Sequence, residues 1–351
     1  MKQLRHSIIR AGLGALSLTG AHHLLRPMLA GIGTIFMLHH VRPRRSDAFQ
    51  PNHHLEITPD FLAITLRHLR GEGIELISMD DMVVRLASGD RARRFACFTC
   101  DDGYRDNRDH ALPVLREFGA PVTVYVASDF AEGRGRLWWV ALERIIAKAD
   151  AIEIALGGIM TRLDCATIEA KQAAFDRMHD RLRDMPDAEL RHAITSLCRQ
   201  HGIDEDAISR DLCMDWDELR GFAADSLVTI GAHTISHCNL ATQTEAQAEH
   251  ELRVSRARIE EALQKPAVHL AYPYGDKAAA GAREFGLAKR LGFKTAVTTR
   301  PGMIFRGNAA HMTALPRLSL NGNYQDKRFL PVLTSGAATA MYNGFRRADA
   351  V

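Results

Sequence analysis

Strand-like and helix-like stretches alternate along most of this chain, and that alternation limits its fold more than any other feature. Gly33 to Leu38 (GTIFML) is a short apolar run. Phe95 to Thr99 (FACFT) is apolar and bounded by charges, which marks a buried strand. Val122 to Ala127 (VTVYVA) is rich in β-branched residues, and Leu227 to Gly231 (LVTIG) repeats the pattern. Val268 to Ala271, Thr295 to Thr298 and Leu315 to Leu320 read as the last strands, and Glu75 to Ser78 as a short one. Helical stretches lie between them. Pro59 to Leu69 follows Thr58, a good N-cap; Met79 to Ala87 comes next; Arg105 to Phe118 ends at Gly119; Gln243 to Leu263 is the longest. Strand, helix, strand in succession implies a parallel sheet with right-handed crossovers, and about seven such units predict an α/β fold, a distorted (β/α)7-type barrel.

The stretch from about 137 to 216 breaks this rhythm and is mostly helical in pattern, so it reads as an insertion between barrel strands. The expected organisation is a helical segment over 1–30, the barrel domain over 31–330 with that insertion, and a peripheral tail over 331–351. A 351-residue chain that is 46% hydrophobic and 25% charged is ordinary for a soluble globular protein. Its net charge of +3, with acids and bases interspersed, gives no reason to expect a nucleic-acid partner.

Six cysteines are present, at 97, 100, 165, 198, 213 and 238. Cys97 and Cys100 have CxxC spacing but lie in a predicted strand, and no second CxxC exists to complete a zinc ribbon. All six are expected to be free thiols, which favours a reducing, cytoplasmic setting. At the N-terminus, Lys2, Arg5 and Arg10 precede a mildly apolar run from Ala11 to Thr19. Signal peptides have that charge order, but this run is short and broken by Gly12 and Gly14. It is too short to span a bilayer. The preferred reading is an amphipathic helix, packed on the domain or in peripheral contact with a membrane surface.

Three segments follow predicted strands: Thr99 to Gly103 (TCDDG), Gly231 to His237 (GAHTISH) and Ala271 to Gly275 (AYPYG). The C-terminal strand ends of a parallel barrel form its active face, so the fold alone gathers these segments. His233 and His237 are four apart, the spacing of one helical turn, and so of one ligand face. A carboxylate from Asp101 or Asp102 would complete a site of two imidazoles and one carboxylate, with room left for water. Adjacent aspartates can divide the work, one on the metal and one taking a proton.

Together these segments resemble the polysaccharide deacetylase family, also called carbohydrate esterase family 4 or the NodB-homology family. The resemblance runs from about Ile35 to Leu320, interrupted by the insertion. It implies a distorted (β/α) barrel that hydrolyses acetyl groups on sugars with a divalent metal, zinc being the ion expected. Thr99 to Gly103 matches the first motif, which makes Asp101 the catalytic base and Asp102 a metal ligand. The second motif makes His233 and His237 metal ligands. The third places the Tyr274 backbone N–H against the oxyanion.

The chain departs from the family pattern at several points. Cys100 replaces an aromatic residue; packing is its expected role, although the position puts a thiol near the metal. Ala271 stands where an arginine often orients the base, and Arg317 is the substitute. The usual C-terminal Leu-x-His, source of the general acid, is missing. Phe36 to Val41 (FMLHHV) instead resembles the first strand of a circularly permuted branch, in which the acid lies near the start; His39 fits that place, with His40 second.

The implied substrate is an N-acetylated oligo- or polysaccharide, in the manner of a chitooligosaccharide deacetylase. Tyr104, Trp138, Trp139, Trp216, Tyr272 and Tyr274 are candidates to line a sugar cleft, although Trp138 and Trp139 suit a core equally well. Two other readings are open: hydrolysis of a non-sugar amide in the manner of allantoinase, or a catalytically dead sugar-binding protein. Intact aspartates and histidines speak against the second.

Overall fold

The computed structural model describes residues 2–89, 93–156 and 159–345. Seven parallel strands form the centre: β1 (Gly33–Leu38), β2 (Phe95–Cys100), β3 (Val122–Val126), β4 (Val228–Ala232), β5 (His269–Ala271), β6 (Thr295–Pro301) and β7 (Leu315–Ser319). Each pairs with the next in chain order, and β7 pairs with β1, so the sheet closes into a barrel. The predicted α/β barrel is the observed one. A two-residue strand, Glu75–Leu76, adds to the start of β2 on the edge whose far end serves β3.

Side chains alternate between two layers. Ile35, Cys97, Tyr125, Val297 and Leu315 fill the barrel interior. Phe36, Leu38, Ala96, Phe98, Cys100, Val124 and Ile230 face outward and pack under the surrounding helices. Those helices begin where sequence chemistry places them. Thr58 accepts from Phe61 N–H at the start of Pro59–Gly71, and Ser78 and Asp81 form a reciprocal cap for Met79–Ser88. Thr244 and Gln247 cap Glu245–Leu263 in the same way.

Three local expectations change. The predicted single helix from Arg105 to Phe118 starts as a π-helical turn, Asn107–Ala111, before Leu112–Glu117 continues it. Asn107 is pulled inward there, donating from Nδ2 to the His39 carbonyl at 2.7 Å. Second, the mostly helical insertion also contains an antiparallel pair, Ala151–Leu156 with Ile159–Asp164, in which Ile152, Ile154 and Leu163 are buried. Alternate apolar residues bury one face of that hairpin on the insertion's own core, beside Phe175, Met178 and Leu197.

Third, residues 331–345, the described part of the expected tail, are not peripheral. The helices Leu330–Thr334 and Ala337–Tyr342 form there, with Val332 and Ala337 fully buried, because these small and branched residues close the core against the N-terminal helices Lys2–Thr19 and Ala21–Leu29.

Gly231 in β4 shows how tightly the barrel closes. A Cβ there would stand 2.6 Å from Tyr125 Cδ1 and 2.8 Å from the His269 carbonyl oxygen. Backbone cannot rotate out of the way, so Gly231→Ala should cost about 1–3 kcal/mol, read as a lower urea midpoint with unchanged m-value.

Candidate metal centre and active-site cleft

Asp101, Asp102, His233, His237, Tyr274, Arg317 and His39 meet at the C-terminal end of the barrel. Asp101 and Asp102 leave the end of β2, where the backbone turns sharply: Asp102 has φ 71° and Gly103 φ 69°. An extended chain would send neighbouring side chains to opposite faces. The left-handed turn lets both carboxylates stay in the site, each 2% exposed.

Asp101 is gripped by Arg317 of β7. Nη1 donates to Oδ1 and Nη2 to Oδ2, each at 2.7 Å. Arg317 is itself 1% exposed, and it is held by donating from Nε to the Thr298 carbonyl at 2.8 Å and from Nη1 to Thr99 Oγ1 at 3.1 Å. Burial pushes the Asp101 pKa up, but the guanidinium more than offsets this and leaves it below the ordinary carboxylate value. His39 Nε2 lies 3.9 Å from Asp101 Oδ2, and the His39 side chain retains 19% exposure. Burial pulls the His39 pKa down, and the Asp101 and Asp102 carboxylates partly oppose that. His40 is occupied elsewhere: its Nδ1 meets Asp106 Oδ2 at 2.6 Å, and its ring stacks on Tyr104 at 3.6 Å.

Asp102 faces the two histidines. Its Oδ1 is 3.5 Å from His233 Nε2 and 3.3 Å from His237 Nε2. The ring of His233 is fixed by Nδ1 donating to the Ala271 carbonyl at 2.7 Å; a carbonyl only accepts, so Nδ1 carries the proton and Nε2 is presented to the site. Burial takes His237 down to about 4, which keeps its imidazole neutral at pH 7.

The two histidines do not share a helix face, as their spacing predicted. They lie on a loop after β4, with Thr234 at φ 65° and His237 at φ 58°. The loop is closed by His237 N–H donating to Thr234 Oγ1 at 3.0 Å. Glu251, from the long helix Glu245–Leu263, accepts from the N–H groups of Ile235 and Ser236 at 2.8 and 3.0 Å. Sequence reasoning missed Glu251, since nothing local to it signals a partner some fifteen residues upstream.

This set fits a divalent cation on its own geometry. One ligand atom from each of Asp102, His233 and His237 lies within 4.8 Å of the others. Asp102 Oδ1 is buried without a hydrogen-bond donor among the described residues. A buried carboxylate oxygen left so, between two imidazole nitrogens, suits a metal.

Tyr274 follows β5 with φ 61°, and Gly275 with φ 57°. Thr299 Oγ1 donates to the Tyr274 carbonyl at 2.6 Å and Trp138 Nε1 to its hydroxyl at 2.9 Å, while its N–H finds no acceptor among the described residues. A cleft of about 170 Å³ opens beside His237 and Tyr274, walled by Trp138, Asp187 and Arg191 of the insertion and by Arg134 from the barrel side.

The other aromatic candidates belong to cores. Tyr272 is fully buried with its hydroxyl on the Thr313 carbonyl at 2.8 Å; Tyr104 is fully buried; Trp216 packs on the helix-facing core. Trp139 is 6% exposed, and its ring backs His237 at 5.0 Å. Cys100 has the packing role expected of it: strand alternation turns it outward into the same core as Ala96 and Phe98, and not toward the candidate metal centre.

The sequence model of the family described as polysaccharide deacetylase matches residues 88–296, more than half of the chain. The chain belongs to the polysaccharide deacetylase family. The matched range contains Asp101, Asp102, His233, His237 and Tyr274, whereas His39 and Arg317 lie outside it and join the site only through the closed barrel. Solved structures share the family's fold. A Streptococcus pyogenes deacetylase, PplD, determined with acetate, aligns at TM-score 0.55 and 16% identity, covering 83% of this chain and 92% of its own. BC0361, a polysaccharide deacetylase from Bacillus cereus, aligns at 0.50 and 16%, covering 82% and 65%. No curated protein sequence matches the chain significantly.

Two outcomes follow from this geometry. Wild type refolded with excess zinc should retain about one metal per chain after dialysis, as should Asp101→Asn, whereas Asp102→Asn and His237→Ala should fall well below that by elemental analysis. Trp139→Ala should cost about 3–5 kcal/mol in denaturant unfolding, because it empties a core position rather than a sugar subsite.

Proposed function

We propose that the protein is a divalent-metal-dependent hydrolase that removes acetyl groups from N-acetylated amino sugars of a poly- or oligosaccharide. The observation that carries this reading is the separation of two adjacent carboxylates. Asp101 is locked to Arg317 beside His39, and Asp102 is turned to two imidazoles. A binding protein has no use for that division, since holding a sugar requires neither an ionised buried base nor a ligand set.

Zinc is the ion proposed, because two imidazoles and one carboxylate with an open position match its catalytic sites. Bound by Asp102, His233 and His237, it would lower the pKa of water at the site and polarise an acyl carbonyl. The protein's own residues do the rest. Asp101, kept ionised by Arg317, accepts a proton from the attacking water. As the water oxygen bonds to the acetyl carbon, the unpartnered Tyr274 N–H donates to the developing oxyanion. His39, beside Asp101 and partly exposed, delivers a proton to the leaving nitrogen. The C–N bond then breaks to give acetate and a free amino sugar. An amine leaves poorly without that proton, so an acid is chemically necessary. His40 is poorly placed for the role, since Asp106 and Tyr104 hold it.

Acetate release from N-acetylglucosamine oligomers should require added zinc after chelation. Asp101→Asn should lower kcat by about 10²–10⁴ while retaining the metal, and His39→Ala should lower it by a similar order. His40→Ala should leave kcat within about tenfold of wild type. A chain that binds zinc and releases no acetate from any such oligomer would refute the sugar assignment.

A further inference from the structure

Large apolar side chains are exposed mainly on one face. Among the described residues eleven are exposed, and seven fall in two stretches: Ile8, Leu18, Leu24 and Met28 near the start, and Met341, Tyr342 and Phe345 near the end. The fold brings these stretches together. A Cβ on Gly12 would lie 3.8 Å from Met341 Cε, and one on Gly336 only 2.1 Å from the Leu29 carbonyl oxygen. The helix Ala337–Tyr342 therefore sits against both N-terminal helices.

Packing explains only half of the first helix. Ile9, Leu13 and Leu16 face the core. Ile8, Ala11, Ala15 and Leu18 form a second stripe at helical spacing that faces solvent, with Leu18 89% exposed. Leu24, 84% exposed, and Met28 continue it on the second helix. No acidic residue precedes Asp47. Of the basic residues Lys2, Arg5, Arg10 and Arg26 there, Arg26 pairs with Glu72 and Arg10 lies near Asp326. Arg346 and Arg347 follow the C-terminal stretch in the sequence, with Asp349 two residues on. Arg10 is exposed.

An outward apolar stripe among basic residues suits an anionic lipid surface, where apolar side chains enter the headgroup boundary and cations meet phosphates. A second copy suits it less, since two such faces would bring like charge together. No helix among the described residues is long and apolar enough to cross a membrane, so the geometry is that of lying on a bilayer. We propose that this face docks the protein on the surface of an anionic bilayer.

The test is co-sedimentation of the full chain with vesicles of phosphatidylcholine alone or with about one-third phosphatidylglycerol. Wild type should sediment with the anionic vesicles, be released at about 0.5 M salt, and stay in solution with the zwitterionic ones. Leu18→Glu combined with Leu24→Glu should weaken vesicle binding by about tenfold or more. Both positions are exposed, so the melting curve and acetate release from soluble oligomers should not change. Three results would overturn the proposal: wild type that ignores anionic vesicles at low salt; a folded double variant that binds as well as wild type; or sedimentation velocity showing a dimer that the same substitutions dissolve, which would assign the face to a second copy.

Discussion

Arg317 and Asp101 form an ion pair inside the barrel, and the division of labour at the site depends on it. Arg317 on β7 reaches past β1 to the end of β2. Burying two charges costs several kcal/mol each, and a single contact would not offset that. Here the fork is matched to both carboxylate oxygens, and two of the three other guanidinium N–H groups donate to Thr298 and Thr99. Asp101 thereby stays ionised yet committed to Arg317, apart from the candidate ligand set of Asp102, His233 and His237. Lysine could not fill this place, because a point charge cannot hold both oxygens and two neighbours at fixed angles.

Backbone strain follows the chemistry. Six non-glycine residues have positive φ among those described, and four of them are Asp102, Thr234, His237 and Tyr274. Such conformations cost about 1–3 kcal/mol each and persist only where surrounding structure enforces them. Each is enforced visibly. Asp102 is followed by Gly103 under Val126, Thr234 and His237 are tied by the Thr234 hydroxyl, and Tyr274 is fastened at both its carbonyl and its ring hydroxyl. The barrel supplies rigid strand ends, and these turns re-aim the side chains that leave them.

That distribution explains what the sequence reveals and what it conceals. Strands and most helices are legible because buried β-branched runs and capping residues are local chemistry, as at Val122–Val126 and Thr58. The site residues are legible because they follow strands, and strand ends converge in any parallel barrel. The shape of the turns is not. His233 and His237 show helical spacing, yet the loop is held by Glu251, which belongs to another element. Tyr272 reads in sequence as a candidate sugar platform, and Trp139 as platform or core alike, because aromatic residues suit both cores and clefts, and only burial separates the two. Arg317 is recoverable only as a substitution for a missing arginine, since nothing near it in sequence points to Asp101.

The insertion is tied to the site at both of its ends, which makes it more than a decoration on the barrel. At its start, Trp138 donates to the Tyr274 hydroxyl, and Asn52 donates to the Trp139 carbonyl at 3.0 Å. At its end, Met214 N–H donates to the Gly103 carbonyl at 3.0 Å, directly behind Asp102. Between these, Arg183 pairs with Asp276 just past the Tyr274 turn, and its guanidinium lies over the Tyr274 ring. The loops carrying Asp102 and Tyr274 are therefore held between two cores, one in the barrel and one in the insertion. Loosening the insertion would shift Gly103 and Tyr274 together, so the packing of a segment that carries none of the proposed ligands or proton-transfer groups sets the geometry of those that do.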